Sequence, residues 1–543
     1  MSILQALILA MFYFLSKGEI YVPFTYSFVD LMMVSLLTGV VLGDPTKGAI
    51  VGGTIMPLYL ALTSVGGSAP VDKEAAGIVS TACVITQGIS LESALVLSSA
   101  AALTLSNLHI LNRTLMVAVT HKADKDCANG DIKKLTFDIF VLGDLIKLLV
   151  FGLPMFVILY WGTDAMGFLL NGLPDVANNI LNLMAGMLPA LGFAMTIVVI
   201  GKSHLLPFFA AGFFFAKYSG LGSIPGLLLG LFLAWLYMIF TKDPNETGGI
   251  FGDLNALKAN NELSDRILDK KDLNRAWTRW RMAICHVDNV ERLQGIGVAY
   301  TMSAVLPKLY PNNPEQVAEG LNRHTSFFCT ENMLGGIIPG ILISLEEERA
   351  IGFKNNQTEE ELVPVELIDS IKVGMMGPFA GMGDTLNYAT INPLLNAFFS
   401  TFAAAGAIWA PIVSGVIKYI VWIFEGKTMF NLGYKVGTQG ATAVLQSGAY
   451  QKIVTFFSII GLFVMGVFSS DFVSVKCGIM IPKVTDVVAL QEILFDAIAP
   501  GILSFATVML TYLYLKKSGN MLKVTILMIL IAIVFGGLGI LTA

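Results

Sequence analysis

The sequence predicts an all-α, polytopic membrane protein made of two membrane regions, and three observations carry that prediction. Of 543 residues, 55% are hydrophobic and only 13% charged, whereas a soluble domain carries about 25% charged residues; the mean hydropathy is +0.72. Several apolar stretches approach or reach the ~20 residues that a helix needs to cross the hydrocarbon core. A polar segment, 242–281, divides the chain near its middle. This composition excludes a water-soluble enzyme. A formal net charge of −5 offers no basic field for nucleic acid, so none is expected as a partner. Cys83, Cys127, Cys285, Cys329 and Cys477 lie far apart without ligand spacing, so no disulfide framework, metal site or cofactor is expected.

In chain order, the apolar stretches are 2–16, 140–161, 187–217, 221–240, 394–424, 453–470, 495–515 and 521–542. The first has no basic run before it and Lys17 after it, so it reads as a retained helix and not a signal peptide. Within 140–161, Asp144 and Lys147 are one helical turn apart and are expected to neutralise each other. The segment 121–134 reads as cytoplasmic. In the central segment, Lys270, Lys271, Arg275, Arg279 and Arg281 place the polypeptide in the cytoplasm, because Lys and Arg near helix ends set orientation. The expected organisation is therefore a membrane domain 1–241, a cytoplasmic linker 242–281 and a second membrane domain 282–543. A further polar stretch, 346–372, interrupts the latter half, and Glu346, Glu347, Glu348 and Arg349 read there as a solvated helix end.

Two regions are apolar enough for the membrane yet too rich in Gly and Pro for simple helices, since those residues cost about 1 and about 3 kcal/mol in a helix interior. They are 39–73 in the first half, and 335–348 with 373–393 in the second. Irregular backbone persists at membrane depth only inside protein or around a water-filled cavity, and one such segment per half points to a transporter site made of broken or re-entrant helices. Close helix crossing accounts for the glycines, but not for the prolines and embedded polar residues.

Ionisable groups at that depth cost roughly 2.5–3.5 kcal/mol, so they are functional candidates by default. Asp72 and Asp384 lead. A neutral polyhydroxylated ligand such as a hexose needs carboxylates that accept and amides and hydroxyls that do both, which Thr54, Ser68, Thr385, Asn387 and Thr390 supply. Helix capping is the structural alternative for these aspartates and the better reading of Asp44, which Pro45 follows. His109, His121, His286 and His324 share no phosphohistidine or metal spacing, and no Walker motif or nucleophile triad is present, so no catalytic residue is assigned. Two other readings compete: a membrane transferase using Asp72 and Asp384 as acid and base, and an uncoupled sugar facilitator.

The motifs carry a resemblance. GVVLGDPTKGAIVGGTI, GGSAPVDKEAAGIVST and HKADKDCANGD in the first half resemble the IIC component of the mannose/sorbose-type sugar phosphotransferase system. In the second half, VERLQGIGVAYTMSAVLPKLYP, LNRHTSFFCTENMLGGIIPGILISLEEERA and IKVGMMGPFAGMGDTLNYATINPLL follow the order and spacing of its IID component. The chain thus resembles a fusion of the two. The resemblance implies a multi-pass permease of the bacterial inner membrane, homotrimeric and elevator-type, that moves a sugar while soluble IIA and IIB proteins relay phosphate onto it. It implies sugar contacts at Asp72 and Asp384, and docking of IIB is expected on the basic linker through Arg279 and Arg281. The chain departs from the family pattern at Met56, Pro57, Ala69, Cys329 and Asn332, positions where the sugar is expected.

Overall fold

The computed structural model describes residues 1–19, 21–60, 71–163, 175–200, 203–221, 223–241, 266–358, 361–446, 449–482, 487–518 and 521–543. The architecture is mostly helical, with two small two-stranded antiparallel sheets near the C-terminal end: Lys476–Cys477 with Leu541–Thr542, and Met480–Pro482 with Val487–Ala489. By length and composition, two described helices can cross a membrane, Leu91–Ala128 and Ile132–Gly162, and up to four if each bent pair counts as one span. The bent pairs are Val22–Phe28 with Leu31–Leu42, at 68°, and Gln491–Ile498 with Ile502–Ser518, at 63°.

The first helix, Ile3–Gly18, is set by a reciprocal cap. Ser2 Oγ accepts from the Gln5 amide while Gln5 Oε1 accepts from the Ser2 amide, satisfying two of the donors a helix start leaves open. At the first bend Asp30 caps Leu31–Leu42 by accepting from the Leu31 amide. Gly43, at φ 89, ends that helix, and Asp44 caps Pro45–Ile55 through the Lys47 amide. The discontinuity expected in 39–73 is therefore a break at Gly43 and Asp44. Gly39 and Gly48 face each other across it so closely that a Cβ on either would overlap the other's backbone. Residues 61–70, including Ser68, lie outside the described residues.

Helix Ile132–Gly162 contains π-helical turns at Asp138–Leu142, Leu148–Gly152 and Ile158–Gly162. These wider turns bring the local repeat to about four residues, and the side chains obey it. Phe137, Val141, Leu145, Leu149, Leu153, Val157 and Trp161 form one outward stripe, 43–61% exposed. Leu135, Ile139, Lys147, Phe151, Met155 and Leu159 form the inward one. Asp144 and Lys147, both on the α-helical turn Gly143–Lys147, take other partners than the expected pairing with each other. Lys147 Nζ donates to the Gly18 carbonyl at 2.5 Å, and Asp144 Oδ1 lies 3.2 Å from His286 Nε2.

In the second half, the expected broken helix at 373–393 is continuous. Val365–Gly383, a π-helical stretch Asp384–Ile391, and Asn392–Ala404 follow one another without leaving helical φ and ψ, and Pro378 is accommodated inside. The apolar stretch 394–424 instead divides at Gly406, φ 89, into Asn392–Ala404 and Trp409–Gln446. Nor is 346–349 a solvated end. Glu346 and Glu347 are buried: His324 Nε2 lies 2.9 Å from Glu346 Oε1, and Glu347 accepts the Ile267 and Leu268 amides at 2.7 Å and the Tyr434 hydroxyl at 2.6 Å. These carboxylates sit in the middle of the helix Ile337–Lys354 and lie in the core because backbone, hydroxyl and ring donors answer them.

The two sequence halves interlock. One core packs Leu9, Val34 and Phe193 with Phe399, Ile459 and Val508; the other packs Met116, Val119 and Ile139 with Trp280, Ile296 and Phe430. Cross-half pairs accompany this packing: Arg113–Asp288 at 2.7 Å, Arg292–Asp124 at 2.5 Å and Lys418–Asp30 at 2.8 Å.

Candidate functional site: a chamber between the halves

Where the halves meet they enclose a cavity of about 230 Å³, below the ~300–1,000 Å³ of clefts that hold drug-sized ligands and sized for one small polar molecule. Its first-half wall is a chain of ion pairs. Lys17 Nζ is 2.9 Å from Asp72 Oδ1 and 2.6 Å from Glu74 Oε2, and Lys73 Nζ is 2.6 Å from Asp30 Oδ1. Lys17, Lys73 and Glu74 line the cavity, together with His109, Asn112 and Arg113 one helical turn apart on the helix Asn107–Ala128.

The second-half wall has two parts. The first is the loop Cys329, Thr330, Glu331 and Asn332. Gln294 holds it like a neighbouring strand, Oε1 accepting the Thr330 amide at 2.9 Å and Nε2 donating to the Thr330 carbonyl at 3.0 Å. Trp280 Nε1 fixes the loop's far end by donating to the Asn332 carbonyl at 3.0 Å. Glu331 Oε2 accepts the Met333 and Leu334 amides at 3.0 and 2.6 Å, so its carboxylate sits at a helix start, where negative charge is stabilised. The second part is a stripe: Ala380, Asp384, Tyr388, Asn392 and Asn396, four residues apart, all face the cavity. The π-helical stretch Asp384–Ile391 keeps a four-residue repeat on one face, where a plain α-helix would rotate it away by about 40° per step.

The candidate residues are distributed accordingly. Asp384 is on the wall. Asp72 is one layer behind it, fully buried, where it caps the helix Lys73–Gln87 through the Ala75 amide, accepts the Tyr13 hydroxyl at 2.5 Å and holds Lys17. Asn387 Nδ2 bridges Glu331 Oε1 and Glu425 Oε1 at 3.3 and 3.2 Å. Thr385 and Thr390 turn their hydroxyls to the backbone, donating to the Gly381 and Thr385 carbonyls. Thr54, on Pro45–Ile55, is half-buried and is not among the described lining residues. Arg279 stacks 5.0 Å from the Tyr300 ring and donates to Ser303 Oγ, and Arg281 stacks 4.7 Å from the Tyr21 ring. Lys270, Lys271 and Arg275 on the same helix are exposed.

Sequence reasoning missed Lys17, Glu74, Asn112, Glu331, Tyr388, Asn392 and Asn396. The signal that finds the last three is the spacing Asp384, Tyr388, Asn392, Asn396, which a 3.6-residue period hides.

Comparison with known proteins matches two parts of the chain to two family descriptions. The family described as PTS system mannose/fructose/sorbose family IID component matches residues 267–541, and that described as PTS system sorbose-specific iic component matches residues 3–236. The mannose-specific EIID component of Escherichia coli (strain K12) is 29% identical over 244 residues, 44% of this chain and 83% of that protein. The sorbose-specific EIID component of Klebsiella pneumoniae is 31% identical over 238 residues, 43% of this chain and 83% of that protein. The mannose-specific EIIC component of Escherichia coli (strain K12) is 31% identical over 219 residues, 40% of this chain and 82% of that protein. A solved structure of the mannose transporter ManYZ in complex with microcin E492 aligns with 51% of this chain and 99% of that chain, at 27% identity and a TM-score of 0.30. The chain belongs to the mannose/fructose/sorbose family of phosphotransferase-system sugar permeases, with a IIC component and a IID component on one polypeptide and no phosphorylation site of its own.

Proposed function

We propose that the chamber between the halves binds one hexose-type sugar, which the chain carries across the bacterial inner membrane for phosphorylation by IIB at the cytoplasmic face. The observation that carries this reading is that IIC-type and IID-type residues wall one cavity, Lys17 and Asn112 from the first and Glu331, Asp384 and Asn396 from the second. Carboxylates and amides set around an aromatic residue, Trp422, are the groups that recognise a polyhydroxylated ring. In the phosphoryl step a sugar hydroxyl oxygen attacks phosphorus on phospho-IIB, the bond from phosphorus to the IIB residue breaks, and the hydroxyl proton leaves to solvent or a base on IIB. The phosphorylated sugar carries charge and does not return.

IIB docks on the helix Lys270–Ala283, whose exposed Lys270, Lys271 and Arg275 supply a basic face beside Arg279 and Arg281. The chain works as a homotrimer in which one helical unit moves past another as an elevator. Phosphoenolpyruvate-dependent phosphorylation of a sugar panel by membranes holding this chain, with cognate IIA and IIB, tests the reading. Product appears only when both soluble proteins and the chain are present; sugar uptake of equal extent without IIA and IIB contradicts coupling.

A further inference from the structure

Behind the chamber wall, where the first helix ends, one carbonyl is held from both halves. The Gly18 oxygen accepts from Lys147 Nζ at 2.5 Å and lies 2.7 Å from His286 Nδ1. The next residue, Glu19, lines the cavity with φ 52, a left-handed conformation that a residue other than Gly keeps only where its surroundings hold it. Tyr26, also on the wall, donates its hydroxyl to Glu19 Oε1 at 2.9 Å. Lys17, on the other side of Gly18, lines the cavity too. The grip on Gly18 therefore sets two wall residues at once, although neither His286 nor Lys147 is among the described lining residues.

The His286 ring is one hydrogen short. A carbonyl only accepts, so the Gly18 contact fixes a hydrogen on Nδ1. In a neutral ring Nε2 then carries a lone pair, and it lies 3.2 Å from Asp144 Oδ1, which as a carboxylate oxygen also only accepts. Neither atom has a hydrogen-bond partner among the described residues. Two bare acceptors at that distance repel, and one added proton turns the contact into a charge-assisted hydrogen bond. The charge around the ring is a separate observation with the same sense. Asp144 and Lys147 face the ring from the helix Ile132–Gly162, Glu19 from the end of the first helix, Cys285 and Asp288 from its own segment, and Arg113, 2.7 Å from Asp288, from the helix Asn107–Ala128. Three carboxylates thus meet two cations, and one further positive charge balances the group. His286 itself is fully buried, with the Phe140 ring 5.0 Å away.

Resting on the sugar-chamber reading, we infer that His286 is a positioning residue for the sugar: it shares one proton with Asp144, and that proton keeps the two halves closed on Gly18, which holds Lys17 and Glu19 in place on the chamber wall. The proton is taken from water and returned to it. When it leaves, Nε2 and Oδ1 repel, the grip on Gly18 loosens and the wall loses its shape. Sugar affinity therefore falls as the pH rises through the range where histidine titrates, about 5–8.

The test is equilibrium binding of glucose, mannose, fructose and sorbose to the purified full chain across that range. Affinity for the sugar that binds best is expected to fall about tenfold from the acid to the alkaline end, a usual size for coupling between two sites. In Asp144→Asn the amide donates to Nε2 without an added proton, so the acid-end affinity is expected to persist at every pH. His286→Gln cannot take up the proton and is expected to bind at every pH as the unaltered chain does at the alkaline end. A flat profile in the unaltered chain overturns the inference and leaves the sugar chamber standing. So does a slope that survives in either variant, which assigns the titration to another group such as His109. Failure of Asp144→Asn to fold also overturns it, because the amide is expected to satisfy the ring. If none of the four sugars binds at any pH, the sugar-chamber reading fails together with the inference.

Discussion

Lys418 and Asp30, 388 positions apart in sequence, form a buried ion pair with Nζ 2.8 Å from Oδ2. Asp30 also holds Lys73 at 2.6 Å and caps the helix that starts at Leu31. One carboxylate thus fixes the 68° bend between Val22–Phe28 and Leu31–Leu42, one edge of the chamber, and the junction of the IIC-type and IID-type halves. A buried pair need not add net stability, but removing one partner strands the other.

Lys418→Met is therefore expected to lower the stability of the detergent-solubilised chain by up to about 3 kcal/mol, Lys73 softening the loss. Asp30→Asn combined with Lys418→Met is expected to recover part of it, because the stranded charge is gone. Thermal unfolding of the three chains checks this; an unchanged midpoint in Lys418→Met contradicts the pair's role.

Glu347 ties the end of the central segment to the second core by accepting the Ile267 and Leu268 amides and the Tyr434 hydroxyl. Glu347→Ala leaves both amides unanswered, at about 1–3 kcal/mol each. Trypsin cleavage after Arg266 is expected to become at least tenfold faster while the rest of the digest is unchanged. Cleavage at the wild-type rate sinks the assignment.

Much of the architecture was legible in the sequence. Helices starting at Ser2, Asp30, Asp44 and Asp269 follow directly from capping residues. The break at Gly43 is readable from Gly-Asp-Pro. Composition misled at 373–393, where Gly and Pro suggested a break that continuous helix and the π-helical stretch Asp384–Ile391 span, and local spacing misled at Asp144 and Lys147, which meet His286 and the Gly18 carbonyl. Asp384 was legible as an ionisable group in an apolar stretch. Glu331 and Lys17 were not, because what marks them lies far along the same half of the chain, Asn387 for Glu331 and Asp72 and Glu74 for Lys17. Glu346 and Glu347 misled for the same reason, since a charged run looks solvated until its distant donors are known.

The four-residue repeat of Ile132–Gly162 has a direct readout. Spin labels at 141, 145, 149 and 153 are expected to show high accessibility to lipid-dissolved oxygen, and labels at 139, 151 and 155 low accessibility, with no drift along the helix. A plain α-helix would turn the outward stripe by about 40° every four residues, and accessibility that drifts in that way contradicts the π turns.

Asp269 caps the helix Lys270–Ala283, and the Asp272 and Lys271 amides hold its carboxyl below the ordinary aspartate value of 3.8. Because the folded-state value is the lower one, the cap's contribution is complete above 3.8 and is lost as the pH falls below it. Protection of the Lys271 and Asp272 amides from hydrogen exchange, taken against the intrinsic rate at each pH, is expected to be as low in Asp269→Ala at neutral pH as in the unaltered chain in acid. Equal protection in Asp269→Ala and the unaltered chain at neutral pH contradicts the cap.

The central claim is that the two halves enclose a single sugar site. Titration calorimetry of the bound sugar onto the purified full chain, with Glu74→Gln in the first half and Asp384→Asn in the second, tests it most directly. One sugar per chain is expected, with affinity lowered at least tenfold by either substitution alone. Two independent sites, or full affinity when either wall residue is changed, would contradict it.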